Sequence, residues 1–173
     1  MPAERLEGER VVIREMTSMD VERVAELHEA PEVARWWPPR DAEYLSGKLD
    51  RDDLSCWVVE LDGEIVGFVQ AYEEKNPEVR HAGMDLFLAP PFQGRGLGRE
   101  VVRTVARHLF EGRGHHRVVI DPAAANTRAV RCYEAVGFKT VGILRSYWWD
   151  HVEERWVDGL LLDLLAGELE ADS

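Results

Sequence analysis

Apolar positions along the chain follow two periods, one of two residues and one near 3.6, and the switches between them mark out the elements. Glu9 to Glu15 alternates and is rich in Val and Ile, which predicts an opening strand. Thr17 and Ser18 offer N-caps for a helix from about Met19 to Glu29, with Val21, Val24, Ala25 and His28 on one face and Pro31 helping to end it. Trp36-Trp37-Pro38-Pro39 excludes regular structure, and a second helical stretch runs from Asp41 to about Lys48. Ser55 to Leu61 and Glu64 to Tyr72 flank the dipeptide Asp62-Gly63, a strong hairpin signal. Ala82 to Ala89 is a strand closed by Pro90 and Pro91, and Gly96 to Phe110 an amphipathic helix. Arg117 to Asp121 is a short buried-type strand. Asn126 caps a helix to about Val136, with Gly137 at the C-cap position. Phe138 to Arg145 and Arg155 to Leu165 close the chain as a pair of strands, the second with room for some helix. Strands first and last with helices between them predict an α/β (α+β) fold around a mixed sheet of six to seven strands.

The length of 173 residues predicts one domain, residues 1–173, without repeats or low-complexity linkers. Two cysteines, Cys56 and Cys132, are too few for a disulfide framework and lack metal-ligand spacing, so no metal is expected and a reducing, cytoplasmic setting fits. Met1 to Arg10 has no apolar stretch of the export type, and no apolar run approaches a membrane span. Net charge is −12, which argues against a partner held by phosphate neutralisation, nucleic acid above all.

That charge is unevenly spread. From Gln93 to Arg117 there are six arginines against two acids, while from Asp150 to Ser173 there are eight acids against Arg155. The basic stretch opens on Gln93-Gly94-Arg95-Gly96-Leu97-Gly98, three glycines at alternate positions between a strand and a helix. Glycines let backbone approach a ligand, and the free N–H groups and dipole of a helix start attract an anion. Neither a Walker loop nor a dinucleotide fingerprint is present, so the turn is either a phosphate cradle of another kind or a plain connection. Arg95 and Arg99 stand close enough to help hold phosphates, whereas Arg103 and Arg107 read as a solvated helix face.

The same residues resemble a known family. Gln93, Gly96 and Gly98, with a strand ending at Leu88 before them and Asn126 and Tyr133 after, are similar to the acetyl-CoA site of the GNAT acyltransferase superfamily, and the element order agrees from near Glu9 to Leu165. The resemblance implies a GNAT-like, mostly antiparallel sheet flanked by helices and acetyl-CoA as co-substrate. It implies that Gln93, Gly94, Arg95, Gly96, Leu97, Gly98 and Arg99 surround the pyrophosphate, that backbone near Phe87 and Leu88 pairs with the pantetheine arm, and that Asn126 touches that arm. Tyr133 is implied as the general acid beside the thioester sulfur, against its alternative as a core aromatic. Gly83-Met84-Asp85, Trp36-Trp37, Gly67 to Tyr72 and Ile120-Asp121-Pro122 with Asn126 to Phe138 are similar to aminoglycoside 6′-N-acetyltransferases. The tail, Gly142 to Arg145 with Tyr147-Trp148-Trp149, is similar instead to acetyltransferases of ribosomal-protein N-termini.

Amine acetylation needs a neutral nucleophile, so a carboxylate beside the acceptor can hold the cation and take its proton. Asp85 is the leading candidate, a charge in a strand that otherwise reads as core, against its alternative as an exposed Asp on the polar face of an alternating strand. Asp121 is a second amine ligand or ordinary Asp-Pro turn chemistry. Trp37, with Trp36, stacks on an acceptor ring, packs in the core or forms a dimer contact, and the pair Trp148-Trp149 has the same alternatives. The expected function is acetyl transfer to the 6′-amine of an aminoglycoside, a small cationic partner, with resistance as its consequence. The alternatives are a ribosomal-protein N-terminus or a polyamine-type acceptor, or a non-catalytic acyl-CoA-binding module. Monomer and homodimer both remain open.

Overall fold

A computed structural model describes residues 3–169, so the end of the acidic tail, Glu170 to Ser173, lies outside the described residues. The elements are β1 (Arg5–Glu7), β2 (Val11–Glu15), α1 (Val21–His28), α2 (Pro31–Ala34), α3 (Ala42–Leu49), β3 (Leu54–Leu61), β4 (Glu64–Glu74), β5 (His81–Leu88), α4 (Leu97–Arg107), β6 (Arg117–Ile120), α5 (Thr127–Val136), β7 (Lys139–Asp150) and β8 (Arg155–Leu165). One eight-stranded sheet runs in the order β1-β2-β3-β4-β5-β6-β8-β7. The expected six to seven strands are therefore eight among the described residues, because the three residues of β1 fold back on β2 through Gly8.

Local chemistry explains most boundaries. Asp62 and Gly63 both take positive φ, 51° and 80°, as a two-residue turn between right-twisting strands requires. Asp41 caps α3 by accepting from the Tyr44 N–H at 2.8 Å, and Asn126 caps α5 by accepting from Ala129. Gly137 closes α5 at φ 119°. Asp20, and neither Thr17 nor Ser18, occupies the cap of α1, and its carboxylate is taken by Arg14 and the Thr17 N–H and hydroxyl. Pro31 starts α2, where its missing N–H costs nothing. After α4 the chain widens into a π-turn at His108–Gly112, which still buries Leu109 and Phe110 and so satisfies the apolar period read through Phe110.

Each sheet face carries its own core. Met84, Leu88, Val101, Val105, Leu109, Val136, Leu162 and Leu164 pack on the α4–α5 side. Val24, Leu27, Leu45, Phe68 and Phe87 pack on the α1–α3 side. Side chains alternate between faces along a strand, so within β5 Met84 and Leu88 enter the first core while Asp85 and Phe87 face the second side.

The feature that positions the site is a divergence. β5 and β6 are parallel neighbours and pair only at Ala82↔Val118 and Gly83↔Val119. Beyond Gly83, β5 continues on β4 as far as Leu88 but has no strand on its other edge. A wedge opens there through the sheet, bounded by β5, the end of β6 and the start of α4.

Candidate active site

At the base of the wedge the glycine turn has the geometry of an anion cradle. Gly94 and Gly96 have φ of 71° and 78°, a left-handed conformation that side chains disfavour. The first-turn N–H groups of α4, at Leu97, Gly98 and Arg99, precede the first intrahelical donor, Glu100, which bonds Gly96. A Cβ on Gly94 would meet nothing within 4 Å, so the backbone there is open to a ligand. Glu100 anchors the helix start: its buried carboxylate accepts from the Arg10 and Val11 N–H groups at 2.5 and 2.9 Å and from Arg10 Nε at 2.9 Å. Arg10 also donates to the Arg95 carbonyl at 3.0 Å, tying the loop to β2. These donors hold the Glu100 carboxyl below its ordinary value despite burial, so a negative group at the cradle is already neutralised by its partners.

Side chains around the turn divide into bound and free. Gln93 donates from Nε2 to the Leu88 carbonyl at 2.8 Å and accepts from Arg128 at 2.8 Å, so its side chain fastens the turn to β5 and is not available to a ligand. Arg95 and Arg99 are exposed beside the cradle, with Arg95 lying over the Phe92 ring. Asn126 spends its oxygen on the α5 cap. Cys132 stands behind Gly98, its sulfur 3.4 Å from where a Cβ would be. Burial pushes that thiol up to about 11, which leaves it protonated and unreactive.

The free edge of β5 also follows from hydrogen bonding. Ala89 N–H bonds Val66 on the β4 side, while the Leu88 carbonyl turns away to Gln93. Backbone groups alternate sides along a strand, so Leu86 and Leu88 present their N–H groups to the wedge and Phe87 is committed to β4. The backbone of Phe87, read from the sequence as facing a ligand arm, is turned to β4 and its ring is buried in the second core, so the open edge of β5 is presented by Leu86 and Leu88.

Two carboxylates lie together at the wedge, close enough for the charge of one to act on the other. Asp85 accepts one hydrogen bond, from Gln70 Nε2 at 3.1 Å. Burial, and next the charge of Asp121, push it up to about 6. Asp121, just past β6, accepts from the Tyr147 hydroxyl at 2.7 Å, and Trp148 Nε1 donates to its carbonyl at 2.9 Å. Burial raises Asp121 as well, with Tyr147 opposing. Among the described residues neither carboxylate sits in an ion pair. Tyr133, on α5, is buried in the other core, and burial, Asp85 and Asp121 all push its hydroxyl up, so it stays protonated. Asp85 and Tyr133 therefore come from opposite faces of the sheet and meet in electrostatic range across the wedge.

The walls were less legible. Trp37 lies edge-on to Phe87 and Phe68, with ring centroids 5.3 and 6.1 Å away, so the structure gives it a packing role in the second core. Trp149 meets Trp156 edge to face, with ring centroids 5.5 Å apart, along the β7–β8 pair. β7 runs five residues past its expected end because a bulge at Ser146, with φ 48° and its N–H bonded to Asp158, carries Tyr147 and Trp148 round to Asp121. Tyr72 carries no sequence signal of its own. Its ring lies over Gly83, within 2.1 Å of where a Cβ would stand, and burial with Asp121 and Asp85 pushes its hydroxyl up to about 12. No group of metal-ligating side chains occurs among the described residues, and no described helix is long and apolar enough to cross a membrane.

Comparison with known proteins agrees with this geometry. An aminoglycoside N(6′)-acetyltransferase type 1 of Klebsiella pneumoniae is 31% identical over 160 residues, which cover 80% of this chain and 79% of that one. RimJ of Mycobacterium smegmatis, solved in complex with CoA-disulfide, superposes with a TM-score of 0.82 at 21% identity over 98% of this chain and 90% of its own. AAC(6′)-Ib, solved in complex with paromomycin and acetyl-CoA, superposes with a TM-score of 0.78 at 22% identity over 95% of this chain and all of its own. Neighbours of the same fold are solved with CoA or acetyl-CoA, and the cradle and open strand edge of this chain are consistent with acetyl-CoA as co-substrate. Residues 21–138 match the Acetyltransferase (GNAT) family, and the chain belongs to that family of N-acetyltransferases.

Proposed function

We propose that this chain transfers the acetyl group of acetyl-CoA to the 6′-amine of an aminoglycoside and so confers resistance. The observation that carries the reading is the pair Asp85 and Asp121, two carboxylates without an ion-pair partner on the acceptor side of the wedge. Such a pair is costly unless a cation arrives, and a polyamine-like sugar supplies more than one. The 31% identity with the Klebsiella pneumoniae enzyme supports the same acceptor class.

In this mechanism acetyl-CoA supplies the thioester. The glycine turn and first turn of α4 hold its pyrophosphate, with Arg95 and Arg99 at the rim. The Leu86 and Leu88 N–H groups bond the arm and the carbonyl oxygen as charge develops there. Asp85 holds the acceptor ammonium and takes its proton, directly or through water, and Asp121 holds it in place. The neutral nitrogen forms the new C–N bond as the C–S bond breaks, and Tyr133 serves as general acid toward the departing sulfur.

A second reading, acetylation of a protein N-terminus, is supported by the long β7 with its Tyr147-Trp148-Trp149 wall. Thiol release from acetyl-CoA, measured with kanamycin-type aminoglycosides, polyamines and ribosomal-protein peptides, separates the readings. Release with aminoglycosides is the expected result. No release with any of them overturns it, and release with peptides alone moves the assignment to the second reading.

A further inference from the structure

Lys48 is a half-buried cation that the proposed mechanism leaves unused. It sits near the end of α3, under the Tyr44 ring and 5.9 Å from the Phe68 centroid. Its Nζ donates to Gln70 Oε1 at 2.5 Å, and Gln70 Nε2 donates to Asp85 Oδ2 at 3.1 Å. Gln70 and Asp85 stand directly opposite each other in the β4–β5 register, so the second contact is built into strand pairing.

The chain of bonds has one workable polarity. An amide presents an acceptor at one end and donors at the other. With an ammonium on its oxygen, the NH2 end of Gln70 must face the carboxylate. Turned over, it would set oxygen against carboxylate and NH2 against ammonium, two repulsions in a site partly screened from water. Asp85 Oδ2 is thereby occupied, while Oδ1 has no partner among the described hydrogen bonds.

We propose that Lys48 is a positioning residue that acts through Gln70 to lock the Asp85 carboxylate, one oxygen bonded and one free for the acceptor amine, against the repulsion of Asp121. This rests on the reading of Asp85 as the amine-binding group. The other groups facing Asp85 are Tyr72 on β4, Tyr133 on α5 and Tyr147 on β7, all protonated, so among them Lys48 is the cation. Arg40 and Arg51 act on Lys48 itself, and with burial they lower its basicity.

The test is a carbon-13 NMR titration of the Asp85 carboxyl in the full chain, paired with the pH profile of acetyl transfer. Lys48→Met is expected to raise the Asp85 midpoint by roughly one pH unit and to move the acidic limb of the rate with it. Lys48→Arg is expected to restore both. Gln70→Leu breaks the same chain from the strand, and its shift combined with that of Lys48→Met is expected to fall short of additive. It also serves as the readout if Lys48→Met does not fold. An unmoved midpoint in the first variant, or in Gln70→Leu when that stands in for it, overturns the proposal, as do fully additive shifts. Because the titration needs no acceptor, a wild-type chain that fails to acetylate would defeat the functional reading while this result still stands or falls alone.

Discussion

Arg35 and Asp150 join two distant parts of the chain, with Nη2 of the guanidinium 3.1 Å from Oδ2 of the carboxylate. Arg35 follows α2 and stacks over the Trp36 ring at 4.3 Å, while Asp150 ends β7 and caps the turn to β8 by accepting from Val152 and Glu153. The pair therefore fixes the Trp36-Trp37 loop against the strand that carries Tyr147 and Trp148. Arg35→Ala is expected to raise the acceptor KM about three- to tenfold with little change in kcat, and the difference should shrink at high salt as screening weakens the wild-type pair. Asp150→Ala also removes two turn bonds, so it should lower Tm where Arg35→Ala does not. Steady-state kinetics at two ionic strengths, with thermal melts of both variants, provides the check.

Asp85 carries a cost in stability that its proposed role requires. An aspartate lifted to about 6 in the fold keeps its proton between roughly pH 4 and 6 while the unfolded chain releases it, so stability falls as pH rises through that window and stays lower above it. Asp85→Asn is expected to stabilise the protein at pH 8 by on the order of 1–3 kcal/mol and to be near neutral at pH 4. The same variant should lose about 100-fold or more in kcat/KM, and wild-type kcat/KM should rise with pH through about 6. Denaturant melts at the two pH values and a pH–rate profile test both halves.

Sequence alone does not separate core packing from chemistry at Tyr133, and the fold shows why. It is buried with Val136 and Phe138, yet it lies in range of both carboxylates. Tyr133→Phe keeps the ring and removes only the hydroxyl, which makes no hydrogen bond among those described. A stability change under about 1 kcal/mol is expected, because no buried partner is orphaned. A loss of about ten- to a hundredfold in kcat without a change in acetyl-CoA KM would mark the hydroxyl as a donor to the leaving sulfur. An unchanged kcat returns it to the core.

How legible the molecule was depended on whether a feature is local. Asp62-Gly63 and the apolar face of α4 each follow from a few neighbouring residues, and they stand where the sequence places them. Asp85 was visible because a charge interrupted an apolar strand. The three residues of β1 carry too little pattern to register, and the bulge at Ser146 depends on Asp158 twelve positions away. The wedge has no sequence signal, because it is set by where β6 leaves β5, just past the Gly83↔Val119 pair, and no residue type marks that point. Lys48, Gln70 and Tyr72 join the site only through pairing and helix docking, so their residue types alone announced nothing.

Glu100 offers a test of the cradle that leaves the glycines in place. Its carboxylate takes two backbone N–H groups and Arg10 Nε, so it joins the first turn of α4 to the start of β2. Glu100→Gln keeps the shape but replaces one acceptor oxygen by an NH2 that faces donors, and a loss of about 1–3 kcal/mol is expected at pH 7. Because the wild-type carboxyl is held below its ordinary value, its stabilisation is present above the unfolded value near 4.5 and is lost as pH falls through the lower folded one. The gap between wild type and variant should therefore narrow toward pH 3. If Glu100 also sets where the free N–H groups of Leu97 to Arg99 point, the acetyl-CoA KM should rise severalfold while the acceptor KM holds. Denaturant melts from pH 3 to 7 with varied acetyl-CoA decide it: a gap that ignores pH would place the loss in packing, and an unchanged acetyl-CoA KM would detach Glu100 from the cradle.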